Sequence, residues 1–227
     1  DIFDCIILHK WTKNNHSATE NQKGGCIMLC IGILGENLQK QTIEQILYFS
    51  KRYTKNQICF YAGKKQKEFD KAYEEAKKTE NALFLVPIQK KTIQYCRENH
   101  IQFSIFVCLD SCKNSTIIPC LTNSGILIAN IDDKRVFPLQ IKKENQLITY
   151  GLNHKASVTV SSLLEPMGHE TKSKIQCCIQ KNIQTVSGNI FEPQEFSLFL
   201  KEGQKSISGA LAAITALMAA DVQISGG

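Results

Sequence analysis

The stretch Gly125-Ile126-Leu127-Ile128-Ala129-Asn130-Ile131-Asp132-Asp133-Lys134-Arg135-Val136-Phe137-Pro138-Leu139, followed after a polar insert by Leu147-Ile148-Thr149-Tyr150-Gly151, decides how the chain is read. Its first part is a short apolar run closed abruptly by Asn130, Asp132 and Asp133. A buried parallel strand ends this way when its carboxyl edge delivers polar side chains into a crevice. The second part reads as another strand, stopped at Gly151.

Upstream of this anchor, strands and helices alternate. Residues 26–34 form a continuous apolar run ending at Gly35, as a fully buried strand does. Over residues 38–53, Ile43, Ile46, Leu47 and Ser50 recur at helical spacing with charged residues elsewhere, which predicts an amphipathic helix. Strand, glycine, helix is the geometry that cradles a phosphate at a helix N-terminus. Strands over 57–62, 82–88 and 103–109 and helices over 66–78 and 90–99 continue the alternation. That order predicts an α/β fold: a mostly parallel, P-loop-like sheet with helices on both faces.

After residue 134 the texture changes. Runs at 136–139, 146–152, 156–163, 173–180 and 196–200 follow one another without a helix, which predicts a smaller antiparallel sheet. An Ala-rich helix over 207–220, with Leu211, Ile214 and Met218 on one face, closes the chain. Residues 1–25 hold a short strand at 2–8 and a polar loop at 14–25. The expected organisation is therefore a main domain over 26–224, parallel over 26–134 and antiparallel over 135–224, with Gly226-Gly227 reading as the start of a linker.

Composition narrows the function classes. The chain has 227 residues, 43% of them hydrophobic and 21% charged, ordinary for a globular protein with one sizeable core. No apolar run is long enough for a membrane helix, so no membrane partner is expected. The net charge of +6 is spread along the chain without an arginine-rich block, which argues for a solvated surface and against nucleic acid. The ten cysteines include no Cys-x-x-Cys pair, and several (Cys30, Cys59, Cys108, Cys177) lie inside apolar runs, where cysteine acts as a small hydrophobe. A cytoplasmic, reducing setting is expected. His9, His16, His100, His154 and His169 are scattered without metal-ligand spacing. Cys177 and Cys178, adjacent on a strand, should face opposite ways, one of them buried.

The anchor also resembles the central ATPase domain of the Mur ligase family, the ATP-dependent amide ligases of cell-wall and folylpolyglutamate synthesis. There a strand ends in Asn-x-Asp-Asp and a strand reading Thr-Phe/Tyr-Gly follows. Asn130-Ile131-Asp132-Asp133 and Thr149-Tyr150-Gly151 match. The family's closing helix begins Gly-x-His-Asn-x-x-Asn-Ala-x-Ala-Ala. The stretch from Gly203 through Ala210-Leu211-Ala212-Ala213 keeps the glycine and the alanine core but not the His or the Asn residues. The resemblance implies a parallel ATPase sheet paired with a smaller antiparallel one, with ATP and Mg2+ as cofactors.

The family's phosphate loop reads Gly-Thr-Asn-Gly-Lys-Thr. Its backbone N–H groups and Lys hold the phosphates, and its hydroxyl reaches magnesium. The resemblance points to Gly35, Asn37, Lys40 and Thr42 for the phosphates, and to Asn130, Asp132 and Asp133 near adenine and ribose. Departures are many: the second Gly is absent, the Lys is displaced by one residue, and Glu36 brings a negative charge near an anion. Phe84-Leu85-Val86-Pro87 lacks the family's magnesium-binding Glu. After the next strand only Asp110 remains of the expected polar set, and Lys113 is the nearest residue to the carbamylated lysine. As an ordinary turn, residues 35–42 need no ligand, and an Asx-rich turn explains residues 130–133 equally well.

These departures favour a degenerate, non-catalytic relative with a protein partner in cell-envelope metabolism. The alternatives are an active amide ligase with an altered phosphate loop, for which Lys40 would be essential, and an unrelated α/β binding protein.

Overall fold

The strand that ends at Asn130 lies in the middle of a nine-stranded sheet. The computed structural model describes residues 28–53, 58–61, 65–110, 121–134, 143–164, 173–203 and 206–222. The expected strands at 2–8 and 136–139, the loop at 14–25, Lys113, and the chain end at 226–227 lie outside the described residues.

The first half alternates β1 (Leu29–Leu34), α1 (Gln39–Tyr53), β2 (Ile58–Phe60), α2 (Gln66–Lys78), β3 (Leu83–Ile88), α3 (Lys90–Glu98) and β4 (Phe103–Cys108). Next come β5 (Leu121–Asn130), β6 (Gln146–Tyr150), β7 (Val158–Leu164) and β8 (Lys174–Ile179). The chain continues through β9 (Ile183–Gln184), β10 (Ile190–Phe191), β11 (Gln194–Phe199) and α4 (Ile207–Ala219). The sheet order is β11-β8-β7-β6-β5-β4-β1-β3-β2, and β9 and β10 form a separate two-stranded antiparallel sheet. The architecture is thus α/β, mostly parallel, with flanking helices and a small antiparallel part.

One expectation needs correcting. The strands after residue 134 do not all run antiparallel, and apart from the β9–β10 pair they belong to the main sheet. β6 lies parallel to β5, with Asn130 opposite Tyr150, and its single bridge to β7 is also parallel. Only β8 reverses direction, pairing antiparallel with β7 and β11, and these strands extend the main sheet.

Why these strands form is visible in their side chains. Ile31, Ile33, Leu83, Leu85, Ile105, Val107, Ile126 and Ile128 join α1 and α4 in one core on one face. Cys30, Phe84, Val86, Phe106, Cys108, Leu127 and Ala129 pack on the other face with Phe69 and Ala76 of α2 and Cys96 of α3. Burial on both faces is what turns these strands into continuous apolar runs. Burying one such side chain fully is worth about 1.5–3 kcal/mol, so the two cores dominate the stability of the sheet.

Helix α4 is buried all round from Gly209 to Ala219. Alanines let it approach both the sheet and α1, with which it makes contact, and its N-cap Ser206 accepts the N–H of Gly209. Its first turn therefore arrives at the carboxyl ends of the central strands.

Candidate functional site

Three neighbouring strands, β1, β4 and β5, deliver the candidate residues to one edge of the sheet. The turn after β1 carries Gly35, Glu36 and Asn37, and α1 begins at Gln39. Gly35 is required by proximity, because a Cβ there would lie 2.9 Å from the Cβ of Leu109 at the end of β4.

The residue after Leu109 is Asp110, and its carboxylate lies on the turn. The N–H of Glu36 donates to both oxygens of Asp110 at 3.1 Å, and the N–H of Asn37 donates to Oδ2 at 3.2 Å. Asp110 is only 9% exposed. Hydrogen bonds to an ionised acceptor are each worth about 1.5–3 kcal/mol, and a carboxylate is also favoured by the positive end of the α1 dipole. The backbone donors that a phosphate would need at this turn are therefore engaged by a side chain of the same molecule.

The helix side of the turn is closed as well. Counting from Gly35, Gln39 stands where the phosphate-holding lysine would be. Its Nε2 donates to the carbonyls of Ile33 at 2.6 Å and Ile88 at 3.2 Å, tying the ends of β1 and β3 together. Lys40 is exposed, one position further round the helix. Thr42 is fully buried, and its hydroxyl has no hydrogen-bond partner. Asn37 is exposed. Gly35, Asn37, Lys40 and Thr42 thus share one turn and helix start, with Asn37 and Lys40 exposed and Thr42 buried.

The second cluster is tied to the first. Asn130 is 8% exposed; its Nδ2 donates to the carbonyl of Leu109 and to Ser208 Oγ on α4, both at 3.4 Å. Beside it, the hydroxyl of Tyr150 reaches the carbonyl of Cys108 at 3.5 Å. Burial, followed by the neighbouring Cys108, pushes the Tyr150 hydroxyl far above its ordinary pKa, while a bond with Ser208 opposes this. It remains neutral and serves as a strut.

Asp132 turns away from this node. Its N–H is accepted by Asn130 Oδ1 at 3.0 Å, and its carboxylate accepts the N–H groups of Leu152 at 2.6 Å and Asn153 at 3.0 Å. Asp133 is half-buried beside it. The Asn130–Asp132 bond is the geometry of an Asx turn, while the Asp132 carboxylate closes the loop that follows β6.

Two carboxylates, Asp110 and Asp132, each sit on consecutive backbone N–H groups at this edge. Among the described residues, no group of three or more His, Cys, Asp or Glu is placed to hold a metal ion. At this turn the amides of Glu36 and Asn37 are already engaged by Asp110. Sequence reasoning singled out Asp110 as a remnant and Gln39 as a departure from the phosphate loop but missed the use of both, and it missed Ser208. A carboxylate directly after an apolar strand was the available signal.

Solved structures share this fold. A UDP-N-acetylmuramoylalanyl-D-glutamyl-2,6-diaminopimelate–D-alanyl-D-alanyl ligase from Acinetobacter baumannii superposes with a TM-score of 0.61 at 14% identity, over 88% of this chain and 47% of that one. A MurF ligase from Thermotoga maritima in complex with ADP gives 0.56 at 10% identity, over the same shares. The fold is Mur-ligase-like. This chain spans about half the length of those ligases (47%), and identities of 10–14% speak for the fold alone. No protein-family model and no curated protein sequence matches the chain. Among the described residues no helix is long and apolar enough to cross a membrane.

Proposed function

We propose that the chain is a non-catalytic Mur-ligase-like domain, descended from ATP-dependent amide ligases of cell-wall synthesis and acting in the cytoplasm through a protein partner of that pathway. The observation that carries this reading is Gln39. At the position where a phosphate-holding lysine would stand, its amide is bound to the carbonyls of Ile33 and Ile88. Both carbonyls belong to the sheet itself, so the side chain supports the fold and offers a nucleotide nothing. Lys40 cannot take over, because one residue along a helix is a rotation of about 100° away from the turn.

Magnesium chemistry meets the same obstacle. Phosphoryl transfer rests on cations and donors aimed at the transferring group. The Thermotoga maritima ligase is in complex with ADP; in this chain the amides of the β1–α1 turn are consumed internally.

Titration calorimetry with ATP, with and without magnesium, tests the proposal on the whole chain, alongside an assay for ADP release. No heat at millimolar ATP and no turnover are expected. Micromolar, magnesium-dependent binding would overturn the reading and favour an active ligase.

A further inference from the structure

We infer that Asp110 is an autoinhibitory contact: its carboxylate stands in for a phosphate on the β1–α1 turn and keeps anions off it. The inference deepens the non-catalytic reading above and rests on it for the kind of ligand excluded, but it concerns a different residue.

The geometry has three parts. Two consecutive N–H groups, those of Glu36 and Asn37, point at one carboxylate at 3.1–3.2 Å. Consecutive amides at the start of a helix are the donor set that a phosphate oxygen pair uses. The carboxylate comes from the far side of the chain, 74 residues on, so it is not an ordinary local turn contact. Finally, it is held in place from below. Leu109 packs against Gly35, and its N–H donates to the carbonyl of Leu34 at 2.9 Å. On the other side, the Leu109 carbonyl accepts from Asn130.

An arriving phosphate therefore meets a resident anion, tethered and mostly buried. It must break the bonds to Glu36 and Asn37 and also suffer repulsion from the displaced carboxylate. Neutral or shortened side chains at position 110 remove that competitor and leave the amides in place. The turn's backbone is fixed by β1, by α1 and by the Gln39 bridge, none of which uses Asp110.

The test follows the amide resonances of Glu36 and Asn37 while inorganic pyrophosphate is added to the unaltered chain, Asp110→Ala and Asp110→Asn. In the unaltered chain the two amides should not move. In Asp110→Ala they should shift on titration, with pyrophosphate bound about tenfold tighter or more than by the unaltered chain. Asp110→Asn, whose neutral oxygen still competes, should fall between the two, and it carries the test if Asp110→Ala does not fold. Equal shifts in all three chains would overturn the inference, because Asp110 would then not be a barrier. So would unmoved amides in folded variants, which would leave the non-catalytic reading intact. ATP turnover by the unaltered chain with unmoved Glu36 and Asn37 amides would sink the non-catalytic reading and leave the Asp110 contact standing.

Discussion

The carboxylate of Asp132 lies against the α-carbon of Gly151: a Cβ on Gly151 would sit 2.6 Å from Oδ2 and 2.9 Å from Oδ1. Gly151 also has φ +153°, a conformation that residues with a side chain rarely adopt. The two ends of the opening sequence stretch are thus one contact. The Asp accepts the N–H groups of the loop, and the Gly makes room for it.

Gly151→Ala should accordingly cost about 1–3 kcal/mol, read as a fall in Tm of several degrees. Part of that cost is collision and part is backbone strain. In an Asp132→Ala background the collision disappears, so the same substitution should cost measurably less. Additive losses in the double variant would mean that the contact is not the cause.

Gln39 and Lys40 are neighbours with opposite expected consequences. Gln39→Ala removes two bonds to buried strand carbonyls and should destabilise by about 1–3 kcal/mol in urea unfolding. Lys40→Ala, at an exposed site, should stay within about 0.5 kcal/mol of the starting chain and change no nucleotide signal. A loss of ATP binding in Lys40→Ala would revive the active-ligase reading.

The fold was legible because burial on both faces leaves a simple record. Runs such as residues 82–88 and 103–109 have no polar face, and charged helices fill the intervals. The direction of β6 was not legible, because periodicity reports a strand without its orientation. Strands β9 and β10, two residues each, are too short to leave any period. The site was harder still. That Asp110 would reach Glu36 depends on β4 landing beside β1, a contact across 74 positions. Gln39 reaching Ile88 spans 49. The opposite facing of Cys177 and Cys178 needed only local geometry, and it holds: Cys177 is buried and Cys178 half-buried.

Gln45 offers a stabilising substitution. Its side chain on α1 is fully buried, and neither its Nε2 nor its Oε1 has a hydrogen-bond partner. A buried amide without partners costs about 1–3 kcal/mol relative to one left in water. Gln45→Leu keeps the volume and removes the polar atoms, so the urea midpoint should rise at unchanged m-value. A lower midpoint would show that the amide is satisfied in solution, most simply by a buried water.

Alkaline pH should loosen the fold through two buried thiols. Burial pushes Cys30 from its ordinary 9.0 up to about 12. Burial, then the adjacent Cys178, pushes Cys177 to about 12 as well. Unfolded thiols ionise first, so the unfolded state holds fewer protons than the folded one between about pH 9 and 12. Stability from these groups is complete below about pH 9 and is lost as pH climbs through that window, by up to about 1.4 kcal/mol per unit for each thiol. Urea unfolding of the native chain and of Cys30→Ala/Cys177→Ala between pH 8 and 10.5 isolates the effect from that of the lysines. The double variant should show the shallower decline, and both thiols of the native chain should resist alkylation at pH 9 until it unfolds. Parallel declines in the two chains would mean that the thiols ionise as readily inside the fold as outside it.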